Sequence, residues 1–251
     1  MVEPGASANH VRLLEELNFN AWPSLASLHL DGWLVRRTGG ISRRVNSVNT
    51  LTAGRMALVD RVAACEALYS SWGMRSVFRL TPLSEPGLEA ILLGRGYSVE
   101  APTNVMVAEV GPREADPRVR LSQTLKDAWP TAASRLRELP EDEASILAAQ
   151  HRLIAVPTLW ASVLSGDTVL AVGVAAVERG WAGLHGIYVG RDGRRQGLAR
   201  AISASLLSRA HVMGARRAWL QVEQANAAAI PLYRSLGFET SWTYRHLVRP
   251  Q

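Results

Sequence analysis

The sequence has one cysteine, one lysine and no long apolar run among its 251 residues. Because Cys65 has no second cysteine as a partner, an internal disulfide and a cysteine-based zinc site are both excluded. No apolar run approaches the roughly 18 residues that a membrane-spanning helix needs. The N-terminal segment MVEPGASANHV also lacks the basic start and apolar core of a secretory signal. We therefore expect a cytoplasmic protein with no membrane partner, in which Cys65 is a buried thiol.

Positive charge comes almost entirely from arginine, since the net charge is +6 and Lys126 is the only lysine. The arginines are scattered between acidic residues, whereas nucleic-acid-binding proteins cluster them and interleave aromatic side chains. We therefore predict a surface that tolerates anionic ligands but has no nucleic-acid partner. The six histidines are dispersed and none shows His-x-x-x-His spacing, so no metal site is predicted.

The second half of the chain repeats the first at an offset of 141 residues. Gly73 aligns with Gly214 and Gly96 with Gly237, without a gap between them. Each copy predicts two strands, a helix with apolar residues at three- and four-residue spacing, a strand, a short helix and a last strand. Such a repeat is better explained by two alike α/β domains than by one large fold. The predicted domains are 1–112 and 113–251, because glycine, proline and charged residues cluster in EVGPREADPRV at their junction.

An arginine- and glycine-rich loop, GRDGRRQGLARAI at 190–202, joins a predicted strand to a predicted helix in the second copy. One interpretation is a surface turn with solvated arginines. The other is a phosphate cradle, because a helix N-terminus offers free N–H groups and a favourable dipole, and glycine allows close approach. In the first copy, Met56 stands where the second has Gly197, and methionine would crowd that approach.

A second motif, NAAAIPLYRSLGF at 226–238, follows the next strand. Asn226 is a suitable N-cap for a short helix, and Gly237 ends that helix. The two motifs, Arg194-x-x-Gly197-x-Ala199 and Asn226-x-x-Ala229-x-x-Leu232-Tyr233-x-x-x-Gly237-Phe238, resemble the GNAT superfamily of acyl-CoA-dependent N-acyltransferases. The resemblance covers about 119–251 as a full domain, and 1–110 resembles a degenerate copy. It implies that each domain has a mixed, mainly antiparallel, twisted sheet flanked by helices.

The resemblance also implies how acetyl-CoA would bind. The strand backbone would pair with the pantetheine arm, the loop backbone would hold the pyrophosphate, Asn226 would bond the pantetheine region, and Tyr233 would sit beside the thioester sulfur. The cofactor-binding residues are then Ile187, Tyr188, Val189, Arg194, Arg195, Gln196, Gly197, Leu198, Ala199, Asn226 and Tyr233. No metal is required.

In this superfamily an amine attacks the thioester directly, so the implied activity is N-acetylation of a primary amine on a small molecule, peptide or protein. Tyr233 is the candidate acid for the departing thiolate. The base is open between His185, Glu223 and an ordered water. On an alternating strand His185 would share a face with Ile187 and Val189, while Glu223 ends the neighbouring strand.

The first copy is predicted to be silent, because Met56, Glu85 and Leu92 replace Gly197, Asn226 and Tyr233. An alternative for the whole protein is a non-catalytic acyl-CoA-binding regulator, but such a binder needs no phenol at the sulfur. The acceptor pocket is predicted in the less regular segments 125–134 and 153–160. The protein is expected to be a monomer or a homodimer.

Overall fold

A computed structural model describes residues 7–39 and 42–250 of the chain. The first six residues, on which the expectation of no secretory signal partly rests, lie outside the described residues. The first half contains the elements α1 (Ala8–Ala21), β1 (Ala26–Leu30), β2 (Trp33–Arg37), β3 (Val48–Thr50), α2 (Leu58–Ser71), β4 (Val77–Leu80), α3 (Leu88–Gly94) and β5 (Ser98–Glu109). The second half contains β6 (Val119–Ser122), α4 (Ala128–Leu136), α5 (Glu141–Arg152), β7 (Thr158–Ser165), β8 (Thr168–Glu178), β9 (Trp181–Val189), α6 (Leu198–Val212), β10 (Arg217–Glu223), α7 (Ala229–Ser235) and β11 (Glu239–Val248).

The predicted repeat is present in the order of elements. The short helices α3 and α7 begin 141 residues apart, at Leu88 and Ala229, and so do the last strands β5 and β11, at Ser98 and Glu239. The long helices α2 and α6 occupy equivalent places before β4 and β10. The second copy additionally carries β6, α4 and α5 at its start.

All described strands join one 11-stranded sheet in the order β1-β2-β3-β4-β11-β5-β10-β9-β8-β7-β6. Only the pairs β3–β4 and β9–β10 are parallel. The predicted mixed, mainly antiparallel sheet is therefore confirmed, and the sheets of the two copies are continuous. They are joined by exchange of the last strands: β5 of the first copy pairs with β10, and β11 of the second pairs with β4. The domain limits 1–112 and 113–251 stay a prediction.

Helices pack on the sheet through apolar residues that recur along one face of the helix. On α6, Leu198, Ile202 and Leu206 recur at four-residue spacing and are almost completely buried against the sheet of the second copy. Helix α1 packs across the junction of the copies, where its Leu14 and Leu17 join an apolar cluster with residues of β5, β10 and β11. Cys65 on α2 is fully buried, as predicted, and burial raises its thiol pKa to about 12.

Candidate active site

A cleft opens where the parallel strands β9 and β10 separate. Their pairing extends only from Trp181 to Leu184 on β9 and from Arg217 to Leu220 on β10. Beyond this point β9 is still held by β8 and β10 by β5, so the strand ends diverge while staying fixed. The space between them has a volume of about 390 Å³. It leaves one edge of the β9 backbone without a strand partner.

A β-bulge at Gly186 sets which side chains of β9 face the cleft. His185 pairs with Val174 and Tyr188 with Val172, so two residues of β9 lie opposite the single Gly173. Gly186 has φ +60°, a conformation that glycine adopts readily. The bulge interrupts the alternation of faces. The prediction that His185 shares a face with Ile187 and Val189 is therefore wrong.

The two sides of β9 have different surroundings as a result. Ile187 and Val189 pack toward α6, in the cluster around Ile202. Tyr188 lies on the other side, with the guanidinium of Arg137 4.7 Å from its ring centre. Ile187 and Tyr188 line the cleft, whereas Val189 does not.

His185 lies at the cleft wall in an aromatic environment. Its ring packs edge-on against Trp22 with centroids 5.3 Å apart. Both ring nitrogens are shielded from solvent and have no hydrogen-bond partner among the described residues. Burial, followed by the smaller electrostatic effects of His151 and Arg44, lowers its pKa to about 3. The imidazole is therefore neutral at pH 7 and holds a proton weakly.

Tyr233 and Asn226 reach the cleft from α7 and the turn before it. The Asn226 side-chain oxygen accepts a hydrogen bond from the Ala229 backbone at 3.1 Å, which caps the start of α7 and leaves the amide NH₂ free. The Tyr233 ring packs edge-on against Phe238, with centroids 6.0 Å apart. Burial, with a smaller contribution from Tyr188, raises the Tyr233 pKa to about 12. Its phenol therefore keeps its proton at neutral pH.

Glu223 ends β10 at the mouth of the cleft and is exposed. It is the one carboxylate among the described residues that line this cleft. Gln221, two positions earlier on the same strand, also lines the cleft and accepts a hydrogen bond from the Tyr244 hydroxyl at 3.0 Å. The structure thus brings Glu223, His185 and Tyr233 into one cleft.

The arginine-rich loop follows β9 and leads into α6. Arg195 and Gly197 both have positive φ, +61° and +72°, and Gly197 is the residue before the helix. No backbone N–H from Arg195 to Arg200 donates a hydrogen bond to a described residue. A Cβ built on Gly197 would have no atom within 4 Å, so the space in front of it is open. Free N–H donors next to open space at a helix N-terminus are suited to binding an anion.

Side chains of this loop have separate roles. Arg194, Arg195 and Gln196 are exposed, and the Gln196 amide donates to the Asp192 carbonyl at 2.7 Å. Leu198 points into the core and is 2% exposed, while Ala199 is half-buried. Leu198 and Ala199 can therefore contribute only their backbone N–H groups to a ligand.

The equivalent loop of the first copy is occupied by the protein's own carboxylate. Asp31 accepts hydrogen bonds from the backbone N–H groups of Arg55 and Met56 at 2.9 and 2.8 Å, and these bonds lower its pKa. Arg61, which is 1% exposed, bridges Asp31 and Glu85. Where the second copy offers free donors, the first copy has satisfied them internally.

Sequence reasoning missed much of the far wall of the cleft. This wall comes from the first copy and from β11, with one residue after α4; its members are Ser42, Arg43, Arg44, Thr103, Arg137, Tyr244 and His246. The predicted acceptor segments 125–134 and 153–160 do not line this cleft. They border two other cavities instead, beside α4 and at the start of β7. The strand exchange brings residues of the first copy and of β11 to this wall. The repeat pattern in the sequence does not encode that exchange.

Within residues 7–39 and 42–250, no group of three or more histidine, cysteine, aspartate or glutamate side chains is arranged to hold a metal ion. No helix in this part of the chain is long and apolar enough to cross a membrane.

Comparison with known proteins gives matches over the whole chain. A family model described as probable histone acetyltransferase Rv0428c, C-terminal, matches residues 8–247. The uncharacterized N-acetyltransferase YobR of Bacillus subtilis (strain 168) is 26% identical over 235 residues, which span 91% of this chain and 94% of that protein. The ribosomal protein bS18-alanine N-acetyltransferase of Escherichia coli (strain K12) is 43% identical over 65 residues, only 26% of this chain and 44% of that protein.

Solved structures share the fold at low sequence identity. A GCN5-related N-acetyltransferase from Kribbella flavida has a TM-score of 0.70 at 18% identity, covering 99% of this chain and 97% of that one. A tandem GNAT protein from the clavulanic acid biosynthesis pathway has a TM-score of 0.62 at 12% identity, covering 100% and 91%. With the family model spanning almost the entire chain, this protein is an acetyltransferase that belongs to the Rv0428c C-terminal family of the GNAT superfamily.

Proposed function

We propose that the protein transfers an acetyl group from acetyl-CoA to a primary amine by direct attack, and that the second copy performs the chemistry. The observation that carries this proposal is the row of free backbone N–H groups at the start of α6, beside a cleft that contains Tyr233. The same donors in the first copy are taken by Asp31. One copy therefore has a place for a pyrophosphate and the other does not.

The residues of the second copy fit acetyl-CoA by the chemistry of their donors. A pyrophosphate needs several N–H groups facing open space, which the backbone of 195–200 offers in front of Gly197. An amide chain such as pantetheine needs a free strand edge, which β9 has beyond Leu184. The free amide NH₂ of Asn226 is a further donor at the cleft. Leu92 and Glu85, at the corresponding places of the first copy, offer no equivalent.

Two side chains carry the proton transfers. When bound, acetyl-CoA supplies the thioester carbonyl. An ammonium must lose two protons on its way to the amide: one before the nitrogen attacks the carbonyl carbon, and one as the carbon–sulfur bond breaks. One proton must reach the departing sulfur, and the other is released to water. Tyr233 remains protonated at neutral pH and donates to the departing sulfur. The exposed carboxylate of Glu223 attracts the ammonium and accepts its first proton directly or through water, and water takes up the second. His185 is shielded and weakly basic, and we assign it no proton-transfer role.

The acceptor belongs to the class of small-molecule or peptide amines. The family model is described as a probable histone acetyltransferase, so the amine of a protein also belongs to this class. Because acetyl-CoA is a cytoplasmic metabolite, we place the reaction in the cytoplasm. Neither a nucleic acid nor a membrane takes part in it, and the active species is a monomer or a homodimer.

Isothermal titration of the purified protein with acetyl-CoA tests the proposal, with stoichiometry as the first result. We expect one site per chain, followed by CoA release when amines are added. Two sites per chain would contradict the silent first copy. Absence of binding would refute the proposed donor, and binding without release from any amine would refute the catalytic assignment.

A further inference from the structure

Positive charge is concentrated on the far wall of the cleft. Arg43, Arg44 and Arg137 line it, against the single carboxylate of Glu223. Arg43 is ion-paired with Glu100 at 3.2 Å. Arg44 and Arg137 are half-buried, and neither forms an ion pair or donates a side-chain hydrogen bond to a described residue. Because a partly buried guanidinium without a partner is unfavourable, both side chains are suited to an anionic ligand.

Rigid elements hold both arginines in place. The backbone carbonyl of Arg44 accepts a hydrogen bond at 2.9 Å from the guanidinium of Arg36, which is itself 1% exposed. Val45, the next residue, is completely buried. Arg137 follows directly after α4, its N–H bonded to carbonyls of that helix, and its guanidinium lies over the Tyr188 ring. The backbone at both positions is therefore fixed, and the Arg137 guanidinium is also held, which reduces the entropy lost when these groups bind a ligand.

A histidine of the same wall, His246, carries no charge that could pair with an anionic ligand. His246 is 3% exposed, lines the same wall, and has two ring nitrogens without a hydrogen-bond partner among the described residues. Burial, followed by the charges of Arg79, Arg43 and Arg44, keeps its pKa well below the usual value. His246 is therefore a neutral group in this wall and adds no charge to it.

Acetyl-CoA does not account for this charge. Its pyrophosphate is assigned to the loop of residues 194–199, and no residue of 190–199 lines the cleft. The 3′-phosphate of coenzyme A is at the adenosine end of the molecule, beyond the pyrophosphate, and the pantetheine arm that follows β9 is uncharged. Arg44 belongs to the first copy and lies on the wall opposite β9. It is therefore available to bind the acceptor.

We propose that the acceptor is a primary amine that carries an anionic group, a carboxylate or a phosphate, which Arg44 and Arg137 bind while the amine faces Glu223 and Tyr233. This inference rests on the proposed function. The two arginines have a second effect, since nearby positive charge disfavours the ammonium form of the amine and eases its deprotonation. Polyamines and lysine-rich peptides are repelled by the same wall.

The test compares matched pairs of amines at saturating acetyl-CoA by release of CoA. Alanine and alaninamide differ by a carboxylate, and phosphoethanolamine and ethanolamine by a phosphate; spermidine and a lysine-rich peptide complete the panel. We expect the anionic member of at least one pair to have the higher kcat/KM, and the pair that responds identifies the anion. A preference for the member without the anion in both pairs, or for spermidine or the lysine-rich peptide over every anionic amine, overturns the inference.

Variants separate this inference from the proposed function. Arg44→Gln and Arg137→Gln should each raise the KM for the anionic amine at least tenfold, the loss expected for a charge-assisted hydrogen bond, and should leave acetyl-CoA affinity unchanged. Arg209→Gln is the matched control, because it removes the same charge from the last turn of α6, outside the cleft. Equal KM values in all three variants contradict the inference while the donor assignment stands. Absence of acetyl-CoA binding to the unaltered protein removes both proposals.

Discussion

Replacing Gly197 by methionine gives the second copy the residue that the first copy has at Met56. Gly197 has φ +72°, so any side chain there is strained by about 1–2 kcal/mol in the free energy of unfolding. For a chain of this size that corresponds to a melting temperature lower by roughly 2–8 °C. The methionine side chain would also extend into the open space where the phosphate is placed. Loss of one charged hydrogen bond, worth about 1.5–3 kcal/mol, would weaken acetyl-CoA binding about tenfold to a hundredfold.

Gly214 offers a matched control at the opposite end of the same helix. It has φ +99°, and a Cβ built there also meets no atom within 4 Å. Gly214→Met should therefore lose similar stability while its acetyl-CoA affinity, measured by isothermal titration, stays that of the unaltered protein. If Gly197→Met binds acetyl-CoA as tightly as Gly214→Met does, the loop does not hold the pyrophosphate and the reasoning from its free N–H groups is refuted.

Three further predictions concern individual side chains. Tyr233→Phe should lower kcat about a hundredfold or more with little change in acetyl-CoA affinity; equal turnover would remove the phenol as the acid. Glu223→Gln should lower kcat/KM for the amine with little change in acetyl-CoA affinity, because the amide cannot accept a proton; an unchanged kcat/KM would favour a water-mediated route instead. His151 is buried with its pKa lowered to about 3 by burial and then by Arg137, so protonation of its unfolded form opposes folding as pH falls below about 6.5. Between pH 7.5 and pH 5.0, the free energy of unfolding measured with urea should therefore fall by about 2 kcal/mol less in His151→Phe than in the unaltered protein. An equal fall in the two proteins would contradict the assigned burial cost.

The fold was largely predictable because its local signals agree with one another. Glycines at Gly96 and Gly237 end the two short helices at the predicted offset, and the period of Leu198, Ile202 and Leu206 gives α6 its buried face. Exchange of β5 and β11 was not predictable. Local periodicity indicates that both segments are strands, but it does not specify which distant strand is the partner of each.

The candidate site was predictable where it depends on backbone signals and not where it depends on long-range packing. The loop at Gly197 and the cap at Asn226 follow from local sequence. The face of His185 was predicted wrongly, although an isolated glycine within a strand, here Gly186, is a recognised signal of a bulge. Arg44 and His246 carried no signal at all, because the strands that bring them to the cleft are joined only in the folded sheet.

The strand exchange also explains why a copy without its own donor site is part of the enzyme. Thr103 on β5 pairs with Glu223 on β10, so the first copy's strand fixes the end of β10 that separates from β9. Without β5, β10 would lose the strand that holds its end apart from β9, and its edge would be unpaired. The first copy then contributes Arg43 and Arg44 to the opposite wall. Because Asp31 accepts hydrogen bonds from the N–H groups of its own loop, we propose that the first copy binds no acetyl-CoA and serves instead to build the wall against which the acceptor lies.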